Sequence, residues 1–455
     1  MRSSLPPGPR IPSALQFAAF WTRPLASLER ARARYGNRFT VRFPFMPPFV
    51  MIADPDQAKE IYQAPPDVLA PGEGARVLMP VVGSKSVILL DGDAHMEQRK
   101  LLLPAFHGER MERLTDLVTE VTAAEVEAWG TGEVDLHPRL QALTLEVILR
   151  AVFGLEPGPR LDALRDSLGR LLAYGEQPAT MLPPPRDPKV IARAERFWDF
   201  AGPLRGFVST REEVDELLFE QIDERRAAAG EGGATGDDVL SMLLEARHEA
   251  DGSPMTNEEL RDELVTLLVA GHETTASTLA WAFERLRREP EVVANLAEEV
   301  RLGDSDEYVT ATVQETLRRR PVLPNNAPRL VKKPITVGGW DYEPGPSLVA
   351  NAYLIHHDPA IYPDPYAFRP ERFLDTKPGT YTWIPFGGGR RRCLGMSFAM
   401  LEMRIVLREV FRAYDLESSP TLAHEPPLRR NITITPARGA RTGLATTRAR
   451  KPIAA

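Results

Sequence analysis

Apolar positions recur at helical spacing through most of this chain, and near its start and in its last third the spacing changes to short alternating runs. In Arg139–Gly154, RLQALTLEVILRAVFG, and Arg160–Gly175, RLDALRDSLGRLLAYG, the leucines share one face and a glycine closes each run, which predicts two amphipathic helices. The longest predicted helix opens at Thr256-Asn257-Glu258-Glu259, a capping-box pattern, and runs until Pro290 stops it. At the helical rise it spans about 50 Å. Another helix carries QETLRRR, and a last one follows Cys393, where Leu394, Phe398, Leu401 and Ile405 keep the period. NRFTVRFPF and FVMIADP read as strands before about Asp91, and PITVGGW and SLVANAYLI as strands later in the chain. MLPPPRDP (Met181–Pro188) and the polar AAAGEGGATGD (227–237) read as surface connections.

Composition narrows the class. The chain has 455 residues, 43% hydrophobic and 26% charged, with no Gly/Ser linker, which predicts one large folded unit with lobes and room for a cofactor. A net charge of −7 excludes the general basic footprint of a nucleic-acid binder. One cysteine forms no intrachain disulfide, so a reducing cytoplasm is the expected compartment. The opening MRSSLPPGPRIPSALQFAAFW carries early prolines, and its apolar run Ala14–Trp21 is far below the roughly 20 residues of a spanning helix, so neither export signal nor membrane anchor is expected.

The single cysteine sits in FGGGRRRCLGMSFAM, Phe386–Met400. Buried filler is the bland reading of a lone free cysteine. Here Gly387 to Gly389 permit a tight turn and close approach of a flat ligand, and the following helix places Cys393 at a helix N-terminus among arginines, which predicts a depressed thiol pKa. A phosphatase-type nucleophile needs an arginine six residues on, where Ala399 stands, and a thiol zinc site needs further cysteines. An axial thiolate to haem iron needs only one.

The pattern Phe386-x-x-Gly389-x-Arg391-x-Cys393-x-Gly395 resembles the haem-binding loop of the haem-thiolate monooxygenases, the cytochromes P-450. Three further motifs agree in order. Ala270-Gly271-His272-Glu273-Thr274-Thr275 interrupts the apolar face of the long helix and resembles the family's oxygen-activating segment, with Glu273 and Thr274 as the catalytic acid and alcohol; His272 is one position off and is not expected to be a ligand. A local bend is expected there, because a threonine hydroxyl can bond back to the carbonyl four residues earlier. Glu315 and Arg318, with Arg372 of FRPERF, resemble the family's structural triad. His95 and Arg99, Arg329 and Arg391 match positions that hold the haem propionates.

The resemblance covers nearly the whole chain and implies a mainly α (α+β), triangular fold: a large helical lobe with a long central helix and a smaller β-rich lobe. It implies one catalytic domain over 1–440, with an N-terminal β-rich part at about 30–90, a helical core at about 91–320, the meander and haem loop at about 321–412, a C-terminal hairpin at about 413–440, and a basic tail at 441–455. The implied cofactor is haem b with its iron on Cys393, held by His95, Arg99, Arg329, Phe386, Arg391 and Gly395. The implied reaction inserts one oxygen atom of O2 into a lipophilic small molecule such as a fatty acid, terpenoid or steroid. Electrons would come from a separate ferredoxin or flavodoxin with its reductase, docking near Arg390 and Arg392. The pocket would draw on Ala70–Leu90, Val269, Ala270, Val322, Leu323 and the turn at Asn431 and Ile432. The alternatives are a non-catalytic haem-thiolate ligand or gas sensor and, more remotely, a thiol hydrolase.

Overall fold

The computed structural model describes residues 5–447 except 107–108, 156–157, 182–183, 185–186, 188, 192, 194–196, 198–199, 201–203, 231–235 and 237. Most of the loop read at Met181–Pro188, the far half of the connection at 227–237, and 448–455 therefore lie outside the described residues.

Five helices build the site: α1 (Gly92–Leu102), α2 (Leu136–Phe153), α3 (Asn257–Leu286), α4 (Glu307–Arg319) and α5 (Met396–Ala413). The capping box at the start of α3 closes as expected: the Glu259 amide donates to the Thr256 hydroxyl at 3.2 Å, and the Thr256 amide to the Glu259 carboxylate at 2.8 Å. The helix stops at Leu286, one turn short of the expected end, and Pro290 starts the next helix at its first position, where no amide is needed. Gly154, at φ 60°, ends α2 in the left-handed conformation. The second predicted helix ends at Ala173 and tightens into a 3-10 turn at Tyr174–Glu176.

The smaller lobe holds a five-stranded sheet of β1 (Arg38–Val41), β2 (Phe49–Ile52), β3 (Leu69–Ala70), β4 (Arg329–Val331) and β5 (Ser347–Ala350), in the order β1-β2-β5-β4-β3. Within it β2 and β5 run parallel, with Phe49 opposite Ser347, and the other pairs are antiparallel. The sheet is thus completed from the late strand group, and the part read as β-rich at about 30–90 holds more helix than strand. The NAYLI half of SLVANAYLI is helical rather than extended, because the Asn351 side chain caps Ala352–His356 by accepting the Leu354 amide at 2.9 Å. Ala227 to Gly230, expected in a connection, are the last turn of Phe207–Gly230, as alanine favours.

The stretch read as a basic tail from residue 441 is not a tail at its start. Arg441–Thr446 is a strand paired antiparallel with Gly132–Asp135 and Tyr414–Leu416, and alternate residues Thr442 and Leu444 are buried. Before it, β6 (Pro427–Arg430) and β7 (Thr433–Pro436) form a hairpin that turns at Asn431, φ 51°, and Ile432. One large apolar cluster joins α2 to α5 and most of the helical lobe, and smaller clusters fill both faces of the sheet. His95 and Met96 of α1 and Arg329 of β4 line one cavity, and the site lies where these elements and the cysteine loop come together.

Candidate active site

The cysteine loop is shaped by its glycines. Gly387 and Gly389 have φ of 69° and 64°, and the Cys393 amide donates to the Phe386 carbonyl at 3.0 Å, closing the turn. A Cβ at Gly388 would stand 2.6 Å from the Tyr62 ring, and one at Gly389 2.4 Å from the Tyr62 carbonyl oxygen. The close neighbour that these two glycines admit is Tyr62, where the sequence suggested a flat ligand. A Cβ at Gly395 would meet nothing within 4 Å, so open space adjoins the loop there. Phe386 packs edge-on against Trp383, with centroids 5.9 Å apart.

Cys393 is exposed, yet burial still dominates its titration. The thiol lies two residues from Gly395, which adjoins open space. Burial pushes its pKa up and outweighs the Gly395 amide, Arg99 and Arg392, which pull it down. This corrects the expected depression: the helix terminus and arginines are present, but desolvation wins. A thiol held neutral is a poor free nucleophile, whereas a metal cation would turn it into a thiolate. The donor chemistry fits iron better than acyl or phosphoryl transfer.

The four predicted propionate partners stand near one another, and Arg99 also stands near Cys393. His95 is buried on α1, and burial, then Arg391, Arg99 and Arg329, hold its pKa down to about 3, so it is a neutral donor. Arg329 on β4 lies over the Tyr62 ring at 5.1 Å and reaches the Ile61 carbonyl at 3.3 Å. Arg391 is more committed than the sequence suggested: it donates to the carbonyls of Val87 (3.0 Å), Ile88 (3.3 Å) and Leu90, and pairs with Asp91 at 2.8 Å. His95, Arg329 and Arg391 line a cavity of about 420 Å³ with Tyr62 and Tyr381. Three guanidinium groups with Asp91 leave positive charge unbalanced in partly dry surroundings, as a ligand with two carboxylates requires. The residues present fit haem.

On α3 the burial pattern marks the opposite wall. Leu260 to Thr266 and Thr275 to Leu286 are buried, while Ala270 between them is exposed and Val269, Gly271, Glu273 and Thr274 are half-buried. Exposure in the middle of a helix buried at both ends means interior space beside it, and α3 packs directly on α5. The Thr274 hydroxyl donates to the Ala270 carbonyl at 2.5 Å, as expected, though the helix continues unbroken. Glu273 accepts from Gln141 Nε2 at 2.9 Å and from the Ser277 hydroxyl at 3.0 Å, with His137 at 3.8 Å and Arg430 at 3.7 Å. Burial raises its pKa against the pull of Arg430, Gln141 and Ser277. His272 turns away to the Thr144 hydroxyl, Nδ1 at 2.9 Å, and is no part of the site.

Sequence reasoning missed several neighbours. Ser277 stands four residues after Glu273, a spacing that could have suggested the bond; Gln141 and Arg430 come from other elements and left no local signal. Glu402 on α5 is fully buried and accepts from Thr275, next to Thr274. Segment 85–87 is pinned to α3 by three bonds: the Lys85 amide to Asp262 at 2.8 Å, the Val87 amide to Glu263 at 2.7 Å, and Thr266 to the Ser86 hydroxyl at 2.6 Å.

Glu315, Arg318 and Arg372 do meet. Arg318 grips Glu315 with two bonds of 2.7 and 2.8 Å, both side chains wholly buried, and spends its remaining donors on the carbonyls of His356, Pro365 and Ala367. Arg372 is the looser member at 3.6 Å, and the Arg369 amide supplies Glu315 with a further bond at 2.9 Å. Of the expected pocket residues, Val269 and Ala270 edge the interior space, and Leu323 is half-buried beside buried Val322, whose carbonyl takes the Ile434 amide at 2.9 Å. Ile432 packs with Phe20, Phe43 and Met181, an aromatic cluster that the sequence did not disclose.

The family model described as Cytochrome P-450 matches residues 3–442. The protein provisionally described as cytochrome P-450 135B1 of Mycobacterium tuberculosis is 38% identical over 450 residues, covering 98% of this chain and 92% of that one. Another from the same species, provisionally cytochrome P-450 138, is 38% identical and covers 96% and 95%. The structure titled retinoic acid bound cyanobacterial CYP120A1 superposes with a TM-score of 0.81 at 22% identity, covering 98% of this chain and all of that one, which shows the shared fold. An exposed thiol near Arg99, a cavity lined by His95, Arg329 and Arg391, and a fold and sequence matched almost end to end lead to one conclusion: this chain belongs to the cytochrome P-450 family, the haem-dependent monooxygenases whose iron takes a cysteine ligand.

Proposed function

We propose that this monooxygenase oxidises a lipophilic small molecule, of the fatty acid, terpenoid or steroid class, with electrons from a separate ferredoxin or flavodoxin in the cytoplasm. The supporting observation is the opened middle of α3, where Val269 and Ala270 present aliphatic surface to interior space beside the Glu273–Thr274 pair. Thiolate-bound haem supplies dioxygen activation, one oxygen atom going to substrate and the other to water.

The chain's residues have the following roles in this reading. Cys393 is the thiolate ligand; His95, Arg99, Arg329 and Arg391 satisfy the propionates, with Phe386 and Gly395 shaping the loop. Glu273, its carboxyl pushed up by burial and held by Gln141 and Ser277, is the acid, and the Thr274 hydroxyl, half-buried beside the interior space, is the alcohol. Arg430 links Glu273 to Glu176, whose side chain is 55% exposed, so a polar path reaches toward solvent while the apolar walls keep bulk water out. Glu315, Arg318 and Arg372 hold the core in register. Arg390 and Arg392 are both exposed and form the basic docking face. One cysteine leaves no ligand set for an iron–sulfur cluster within these 455 residues, which supports a separate electron donor.

The test is turnover with a ferredoxin or flavodoxin and reductase over a lipophilic panel under ¹⁸O₂, after the carbon monoxide spectrum of the reduced protein has shown the thiolate–haem band and its loss in Cys393→Ser. One labelled oxygen in a lipophilic product is expected. Oxygenation confined to polar, charged compounds would overturn the substrate class, and haem loading with no oxygenation of any compound would favour the ligand sensor.

A further inference from the structure

A second cluster of buried charge, sharing no residue with the site above, lies where α3 and α4 end. Trp281 and Arg285 stand one turn apart on α3, and the Arg320 guanidinium, just past α4, stacks over the Trp281 ring at 5.2 Å. Arg285, Arg288, Arg319 and Arg320 are all buried, Arg285 at 2% exposure. Their principal counter-charge is Glu284, wholly buried. It takes two bonds of 3.1 Å from Arg288, a third of 3.0 Å from the Glu425 amide, and lies 3.0 Å from Arg285 Nε without alignment for a hydrogen bond. Arg319 is served by the Tyr366 carbonyl at 3.0 Å and His357 Nε2 at 3.1 Å. Half-buried Glu289 also faces Arg288, Arg285 and Arg319. Four arginines thus face two carboxylates.

The donors do not balance either. Arg285 Nη2 and Nε and Arg320 Nε have no hydrogen-bond acceptor among the described residues. A guanidinium this dry without acceptors is strongly disfavoured, and Arg285 is turned toward other cations: the charges acting on it are those of Arg320, Arg319 and Arg288 against Glu284. Unpaired donors on two arginines plus surplus positive charge call for an acceptor with one negative charge and no directional demand. A tetrahedral oxyanion would bring four oxygens to three donors. A halide accepts from any direction and fits the number.

We propose that Arg285 and Arg320 bind one small monovalent anion of the chloride class between the ends of α3 and α4, tying the long helix to the helix that carries Glu315. The site joins two elements whose ends crowd like charges beside their shared apolar packing, so its occupancy stabilises the fold without touching the haem side.

Bromide tests this directly. Holoenzyme crystals grown with bromide as the sole halide should show one anomalous peak within hydrogen-bonding reach of Arg285 Nη2 and Arg320 Nε. In solution, replacing gluconate by chloride at constant ionic strength should raise Tm saturably, by about 3 °C at a hundredfold excess over Kd. Arg320→Met should lose that increment and keep the haem spectrum; should the variant fail to fold, the bromide map of the native protein decides. A water-weight peak with no anomalous signal, or equal Tm in gluconate and chloride, overturns the proposal.

Discussion

Glu273 shows how a single side chain can be assigned a role that differs from that of its neighbours. Its carboxyl is held by Gln141 and Ser277, which a glutamine could also engage, so Glu273→Gln keeps the packing and removes only the titratable proton. Turnover driven by dioxygen and a redox partner should fall about 100-fold, while peroxide-driven oxidation and substrate affinity stay near native. Steady-state rates with the two oxidants check it; equal losses in both would make Glu273 structural. Glu315 is the contrasting case. Arg318 is buried with it at 0% side-chain exposure, so Glu315→Gln leaves a guanidinium charge without its counter-ion. The expected destabilisation is about 3 to 5 kcal/mol, read from the urea midpoint. The looser Arg372, at 3.6 Å, should matter less.

Among the elements, the cysteine loop and the helix Pro55–Gln63 interlock through two different contacts, and this yields a paired prediction. At Gly388 an added Cβ meets the Tyr62 ring, whereas at Gly389 it meets the Tyr62 backbone carbonyl and φ is 64°. Gly388→Ala should lower haem retention and be rescued by Tyr62→Ala; Gly389→Ala should resist that rescue, because neither the carbonyl nor the φ changes. Haem content and the carbon monoxide spectrum of the four variants are the readout, and rescue of both glycines would refute the assignment. These contacts also mark the limit of what the sequence discloses. Local rules placed α3 through its capping box, α2 through Gly154, and Cys393 through its glycines, because each signal lies within a few residues of its effect. Tyr62 against Gly388, Gln141 and Arg430 on Glu273, and Glu263 on segment 85–87 are separated by more than a hundred residues and follow no period. The strand at Arg441–Thr446 was hidden for a related reason: its partners Gly132–Asp135 and Tyr414–Leu416 are remote, and RTGLAT alone carries little strand signal.

For the molecule as a whole, buried titratable groups of opposite kinds set the pH at which it is most stable. His137, His272 and His356 are held neutral in the fold with pKa values down to about 3, 4 and 3, chiefly by burial, and His357 well below its usual range for the same reason. Their folded values lie below the unfolded value of about 6.5, so their contribution is present above that pH and is lost as pH falls. Glu263 and Glu402 are pushed up to about 8 by burial, so their contribution is present below the unfolded carboxyl value and is lost as pH rises toward 8. Each group acts with a slope of about 1.4 kcal/mol per pH unit. Below about pH 6.5 these four imidazoles, with His95 and His424 also held neutral, outweigh the raised carboxyls of Glu263, Glu402, Asp262, Glu273 and Glu289, and stability drops on acidification; above it the raised carboxyls dominate, and stability drops on alkalinisation. The urea midpoint should therefore peak near pH 6.5. Glu402→Gln keeps a group able to accept from Thr275 but cannot ionise, so it should flatten the alkaline limb and steepen the acid limb between about pH 4.5 and 6.5. A midpoint that climbs from pH 6.5 to 8 would mean that Glu402 is ionised in the folded protein, and that a cation or water reaches the core between α3 and α5.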